Sequence, residues 1–224
     1  MPAWTCRSSI ERRGNGVNAQ RALLHPAAKP LLFVLCLLPF AQLLGGAVAG
    51  TLGANPAEAL IRSTGDWTLR LLCLTLAVTP VRHATGWHGL VRFRRMLGLF
   101  TFFYGVLHLL CYAWFDMGFY LDDIARDIAK RPFILVGFAA LVLMLPLAAT
   151  SFNRAIKALG AARWQALHRA VYAVAGLALL HFFWMRSGKN DYAEVAVYAL
   201  IIAALLGARV WRAWRRRAGA AQPA

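Results

Sequence analysis

Met96–Phe115 reads MLGLFTFFYGVLHLLCYAWF, twenty residues without an Asp, Glu, Lys or Arg. At about 1.5 Å rise per residue, a helix of that length covers the roughly 30 Å hydrocarbon core of a bilayer. Arg92, Arg94 and Arg95 precede it and Asp116 follows it, so charge closes the run at both ends. One histidine, His108, lies inside. A polar, metal-coordinating side chain is costly in hydrocarbon and rarely stands there without a partner.

Trp164–Met185 is a second long apolar stretch, with Arg169 as its one charged residue, and it carries His168 and His181. His108 lies roughly 20 Å along the axis from Arg95 and roughly 12 Å from Asp116. His181 comes 5 residues before Arg186, at a comparable depth. Two imidazoles on separate helices at one level would grip the two open faces of a haem iron. The plainer alternative is a histidine bonded to a carbonyl of a neighbouring helix. Gly105, one turn before His108, and Gly176, five residues before His181, would open space for a flat macrocycle or serve plain helix packing.

The rest of the chain has the same character. Of its 224 residues, 60% are hydrophobic and 15% charged, against about 25% charged in a soluble domain. Six crossings are expected: Leu31–Gly50, Trp67–Val81 (short, with Arg70 near its start), Met96–Phe115, Phe133–Thr150, Trp164–Met185 and Tyr192–Val210. Pro80, Pro132 and Pro146 fall near segment ends, where proline disrupts least. The expected fold class is therefore all-α, a six-helix transmembrane bundle with both termini cytoplasmic. Residues 1–29 read as a disordered basic cytoplasmic tail or an over-extended start of the reading frame. Residues 30–211 form the membrane domain, and 212–224 a second basic tail. Cys6, Cys36, Cys73 and Cys111 make no CxxC pair and read as small apolar side chains.

Charge supports this count. With six crossings, the inner segments hold seventeen cations against one acid, Glu11. The outer loops hold six cations and the other eight acids. Lys and Arg accumulate on the cytoplasmic side of membrane proteins, so the net charge of +16 needs no nucleic-acid partner. Leu121–Arg131 alternates acids with isoleucines. It reads as a short amphipathic helix on the outer surface, a docking face for an outside partner, or a solvated loop.

His25, His83 and His88 lie in the tail and inner loop and read as solvated. His168 sits 13 residues before His181, roughly 20 Å along a helix, a spacing suited to two stacked cofactors. On an ideal helix the two would point about 140° apart, so sharing a face would need a bulge or a wide interior. The matching inner position on the third segment holds Arg94 and Arg95 in place of a second histidine. His168 then faces a haem propionate, a quinone or a flavin, with Arg94 and Arg95 as an anion clamp.

Three stretches together resemble a known family. They are LTLAVTP (Leu74–Pro80) with Arg82, RRMLGL (Arg94–Leu99) leading to Tyr104 and His108, and LHRAVY (Leu167–Tyr172) leading to His181, Phe182 and Trp184. Over about Pro30 to Trp211 the chain resembles the MsrQ (YedZ) family, haem-binding membrane subunits among the ferric-reductase-like transmembrane domains. The resemblance implies haem b, with FMN as a further cofactor. It implies electrons drawn from the inner side, from the quinone pool or a cytoplasmic flavin reductase. It also implies a periplasmic, molybdenum-containing methionine sulfoxide reductase partner that repairs oxidised envelope proteins. The family's three histidines match His108, His168 and His181. Oxidase relatives carry a second histidine on the third helix where this chain has arginine, which puts two full bis-histidine haems in doubt.

No GxGxxG occurs and 14 residues follow Val210, so no nicotinamide- or flavin-binding domain is expected on this chain. The expectation is a non-catalytic electron-transfer subunit in a bacterial inner membrane, with His108 and His181 as axial ligands. The rival readings are a stand-alone ferric or cupric reductase of the same fold and a haem-free transporter or scaffold. No broken helix or inverted repeat in the sequence speaks for a transporter.

Overall fold

The computed structural model describes residues 18–188 and 190–220. The first 17 residues of the expected N-terminal tail, Lys189 and residues 221–224 lie outside it. After a helical stretch over residues 18–24, the helices run α1 Ala28–Val48, α2 Pro56–Thr85, α3 Val91–Cys111, α4 Leu121–Lys130, α5 Pro132–Ala149, α6 Asn153–Leu159, α7 Ala161–His168, α8 Val171–Ser187 and α9 Ala193–Ala220. Among the described residues, five helical stretches are long and apolar enough to cross a membrane: Ala28–Val48, His88–Asp116, Pro132–Ala149, Ala161–Ser187 and Ala193–Ala218. Leu31, Val34, Leu38, Val142 and Leu200 stand exposed on their outer faces, an apolar surface that suits lipid.

α2 is the departure from the expected segment boundaries. The sequence suggested 15 residues, Trp67–Val81; the helix has 30 and is about 45 Å long. Its start is set by Asn55, whose side chain accepts the backbone N–H of Glu58, with Pro56 in the first helical position. Its end is set by Gly86, whose φ of 75° lets its N–H return to Arg82 O. The first turns hide from a hydropathy count because they carry Glu58–Arg62 and Asp66–Arg70, ion pairs of 3.4 and 3.9 Å one turn apart. Further along, Leu69, Leu71, Leu72, Cys73, Leu76 and Val78 are all buried. Thr64, Thr68 and Thr75 turn their hydroxyls back to carbonyls four residues earlier, so none of these three hydroxyls is left bare.

α2 packs most extensively against α3, and α5 against α8. These two pairs carry the site. One core cluster joins Leu69, Leu72, Leu76, Met144, Val174 and Ile202 across α2, α5, α8 and α9. The other joins Cys36, Leu71, Val78, Phe93, Phe100 and Tyr104 across α1, α2 and α3.

The expected fifth segment is not one continuous helix. It divides at Arg169–Ala170, where Arg169 N and Ala170 N bond carbonyls three residues back, those of Ala166 and Leu167. Tyr172 N likewise bonds Arg169 O. The tightened turn re-aims the chain between His168 and His181. α3 ends in a widened turn over Tyr112–Asp116. Beyond it α4 is the short helix that Leu121–Arg131 suggested, with Asp122 and Asp123 in its first turn. Tyr112 donates to Asp127 at 2.7 Å and so ties α4 to the end of α3.

Candidate cofactor site

His108 on α3 and His181 on α8 have ring centroids 6.1 Å apart, with planes inclined at 75°. Two metal–imidazole bonds of about 2 Å each, plus the ring radii, give a centroid spacing of roughly 6 Å. That spacing is compatible with both imidazoles reaching one metal ion. Among the described residues no group of three or more His, Cys, Asp and Glu side chains gathers as a metal cage would require.

Each ring is held from behind by the helix its own helix packs on. His108 Nδ1 lies 2.9 Å from Ile61 O on α2, and His181 Nδ1 lies 2.7 Å from Phe133 O on α5. A carbonyl can only accept, so both Nδ1 atoms carry the proton and donate. Each Nε2 is left with the lone pair that a metal takes. The carbonyl-bonded histidine and the ligand pair, alternatives at the level of sequence, are compatible, because the carbonyl occupies one ring nitrogen and leaves the other free.

A glycine makes each approach possible. Gly65 comes four residues after Ile61, and Gly137 four after Phe133, one turn along the same helix face. A Cβ at Gly137 would lie 2.7 Å from His181 Nδ1, and one at Gly65 3.1 Å from His108 Cε1. Sequence reasoning missed both. The signal it could have used is an apolar helix with glycine at the level of a partner histidine, but that needs the helix pairing first. Of the two glycines it did single out, Gly105 abuts Leu141, whose Cδ1 would lie 3.1 Å from an added Cβ, and Gly176 borders open space.

His168, Arg94 and Arg95 come together elsewhere. They line a cavity of about 790 Å³ among α2, α3, α5, α7, α8 and α9, together with Trp164, Tyr172 and Arg209. Neither His108 nor His181 borders it. The His168 ring stacks on Trp164 at 3.9 Å, and its Nδ1 lies 3.0 Å from Trp164 O. Its Nε2 is buried with no hydrogen-bond partner. Arg95 donates to Asn153 Oδ1 at 2.8 Å, and Arg209 to Tyr172 Oη at 2.8 Å. Several cations, flat aromatic walls and one unsatisfied imidazole nitrogen suit a planar ligand with an anionic group.

The family model for the ferric reductase like transmembrane component matches residues 64–179. The chain is 69% identical over 197 residues to a protein of Polaromonas naphthalenivorans named protein-methionine-sulfoxide reductase heme-binding subunit MsrQ, covering 88% of this chain and 90% of that one. A protein of the same name from Ralstonia nicotianae is 54% identical over 189 residues, 84% of this chain and 87% of that one. The chain belongs to the MsrQ family. It is a multi-pass membrane protein of the ferric-reductase-like class. MsrQ chains are not the sole setting for this architecture. The magnetosome protein MamZ of Magnetospirillum gryphiswaldense is 44% identical over 193 residues, 84% of this chain but 29% of that longer protein. No solved structure matches the chain. Within this MsrQ-family chain the matched span takes in Gly65, His108, Gly137 and His168 and stops two residues before His181.

Proposed function

We propose that this chain is the haem b-carrying, electron-transferring membrane subunit of a protein-methionine-sulfoxide reductase. The observation that carries it is the pair His108 and His181, 6.1 Å apart, each with Nδ1 tied to a helix carbonyl. The two side chains would hold the iron through Nε2, neutral and fixed in one tautomer. When bound there, haem supplies a one-electron couple. The protein's part would be to supply His108 and His181, keep water away and orient the rings. The chain's own residues do no chemistry on the sulfoxide, which belongs to a partner subunit.

Orientation supports the direction of flow. α2 is a sixth crossing in this reading, about 45 Å long and packed inside the bundle. Six crossings put both termini in the cytoplasm and the arginine-rich end of the bundle with them. Residues 30–211 are then the ferric-reductase-like membrane domain, flanked by cytoplasmic tails at 1–29 and 212–224. His108 and His181 lie toward the other, acidic end, facing the periplasm of a bacterial inner membrane. Electrons enter at the cavity of His168, Arg94 and Arg95, from quinol or a reduced flavin. The donor set there fits an FMN phosphate or haem propionates. They leave past His108 and His181 to a periplasmic, molybdenum-containing methionine sulfoxide reductase.

The ligand pair is tested by His108→Ala and His181→Ala. Each variant is expected to lose the reduced-minus-oxidised haem absorbance while remaining in the membrane fraction. Full haem in both would overturn the assignment. His168→Ala is expected to keep that haem but slow its reduction by the inner donor.

A further inference from the structure

Among the described residues charge is divided by end, and the cations of one end have no acid paired with them. The six ion pairs among the described residues all use acids at one end of the bundle, those of the α2 start, α4 and the α8–α9 connection. At the opposite end the arginines from Arg82 to Arg216 make no ion pair among the described residues.

The densest part of that end is where α2 finishes beside α9. Arg82, Arg212, Arg216 and His88 all act electrostatically on the His83 side chain. An Arg82 terminal nitrogen lies 3.1 Å from His83 Nε2, while Arg82 Nε is buried with no hydrogen-bond partner. Arg212 donates to Pro80 O at 3.4 Å, which pins it to the last turn of α2. Like charges gathered in this way repel unless an anion lies among them. Guanidinium groups present forked donors that match the oxygens of a phosphate. Val81, next to Arg82, belongs to an apolar groove of about 410 Å³ that also runs past Leu31, Leu35, Leu74 and Phe93. None of the three arginines lines that groove, but it reaches the same end of the bundle, where the phosphates at hand are those of lipid headgroups.

We propose that Arg82, Arg212 and Arg216 form a phosphate-binding site at the basic end of the bundle, filled by the headgroup of an anionic phospholipid whose acyl chain lies in the neighbouring groove. None of the three arginines lines the cavity of His168, Arg94 and Arg95, although Arg82 lies near enough to act on the Arg94 charge. It holds the end of α2 against α9 and makes the stability of the bundle depend on lipid charge.

The test uses the full chain purified with its cofactor. Its Tm is measured in micelles with phosphatidylcholine alone, with phosphatidylglycerol added, and with inorganic phosphate added. Phosphatidylglycerol is expected to raise Tm, and Arg82→Gln/Arg216→Gln, which leaves Arg212 on the Pro80 carbonyl, is expected to lose most of that shift. Arg154→Gln/Arg163→Gln removes the same charge elsewhere at this end and is expected to keep it. The proposal is overturned if the first variant keeps the full shift or if both variants lose it equally. Should inorganic phosphate alone give the whole shift, the arginine site stands and the lipid as its source falls. Arg216→Gln alone serves if the double variant is poorly expressed; a smaller shift than wild type supports the site and an equal one overturns it. Haem absorbance recorded on the same samples is expected to be unchanged, so the outcome is readable whether or not the haem assignment holds.

Discussion

An imidazole inside a membrane helix has two nitrogens to satisfy, and His108 and His181 satisfy one each in the same way. The acceptor is a carbonyl of the neighbouring helix, and the residue four further along that helix is glycine. The two glycines are not equally tight, and that gives a graded expectation. An alanine at Gly137 would place its Cβ 2.7 Å from His181 Nδ1, closer than the ring can tolerate without leaving Phe133 O. Losing such an orienting bond typically costs a metal site roughly 10–100-fold in affinity. Gly137→Ala is therefore expected to lower haem occupancy, read as absorbance per mole of protein, well below Gly65→Ala, whose contact is 3.1 Å. Gly45→Ala, with nothing within 4 Å, is the control and is expected to match wild type. Equal occupancy in all three would show that the glycines do not set the rings.

At the scale of the helix, two prolines interrupt hydrogen-bond ladders and side chains from other helices engage the backbone beside them. In α1 the break is at Pro39. Tyr104 of α3, fully buried, accepts from Phe40 N at 2.9 Å and donates to Cys36 O at 2.8 Å. Those are groups that an unbroken α-helix would pair with each other, so the phenol is inserted in the ladder. In α2 the break is at Pro80, which has no N–H for Leu76 O. Arg209 of α9 supplies the donor at 2.6 Å. Both devices convert a local defect into a cross-link between helices. Tyr104→Phe keeps the ring packing and removes both bonds, so it is expected to destabilise the protein by about 1–2 kcal/mol. Thermal unfolding of the purified protein measures this. A melt unchanged from wild type would mean that Phe40 N and Cys36 O simply close on each other.

For the molecule as a whole, the separation of charge predicts its orientation. Among the described residues, acids and ion pairs occupy one end, and arginines outside any ion pair the other. With α2 as a crossing, a phosphatase that matures only outside the cytoplasm is expected to be inactive when fused after Ala220 and active when fused within residues 49–55. Activity at the C-terminal fusion would mean an odd number of crossings or an inverted bundle, and would remove the cytoplasmic entry route from the proposed function.

What the sequence by itself determined rests on contrast against an apolar background. A histidine in a run without charge stands out, and so do arginines crowded at one side, so the all-helical membrane class and the candidate pair His108 and His181 were legible. So was the separation of His168 from them, through the arginines at its level. Tertiary structure alone decided three things. The first turns of α2 look like a loop because their charges pair with each other, and their place in the bundle comes from packing against α3. The break at Arg169–Ala170 has neither proline nor glycine to announce it and shows only in the backbone bonds to carbonyls three residues back. Gly65 and Gly137 are two glycines among 18. Their meaning depends on which helix lies against which, because an imidazole reaches a carbonyl through space and no spacing along the chain encodes that distance.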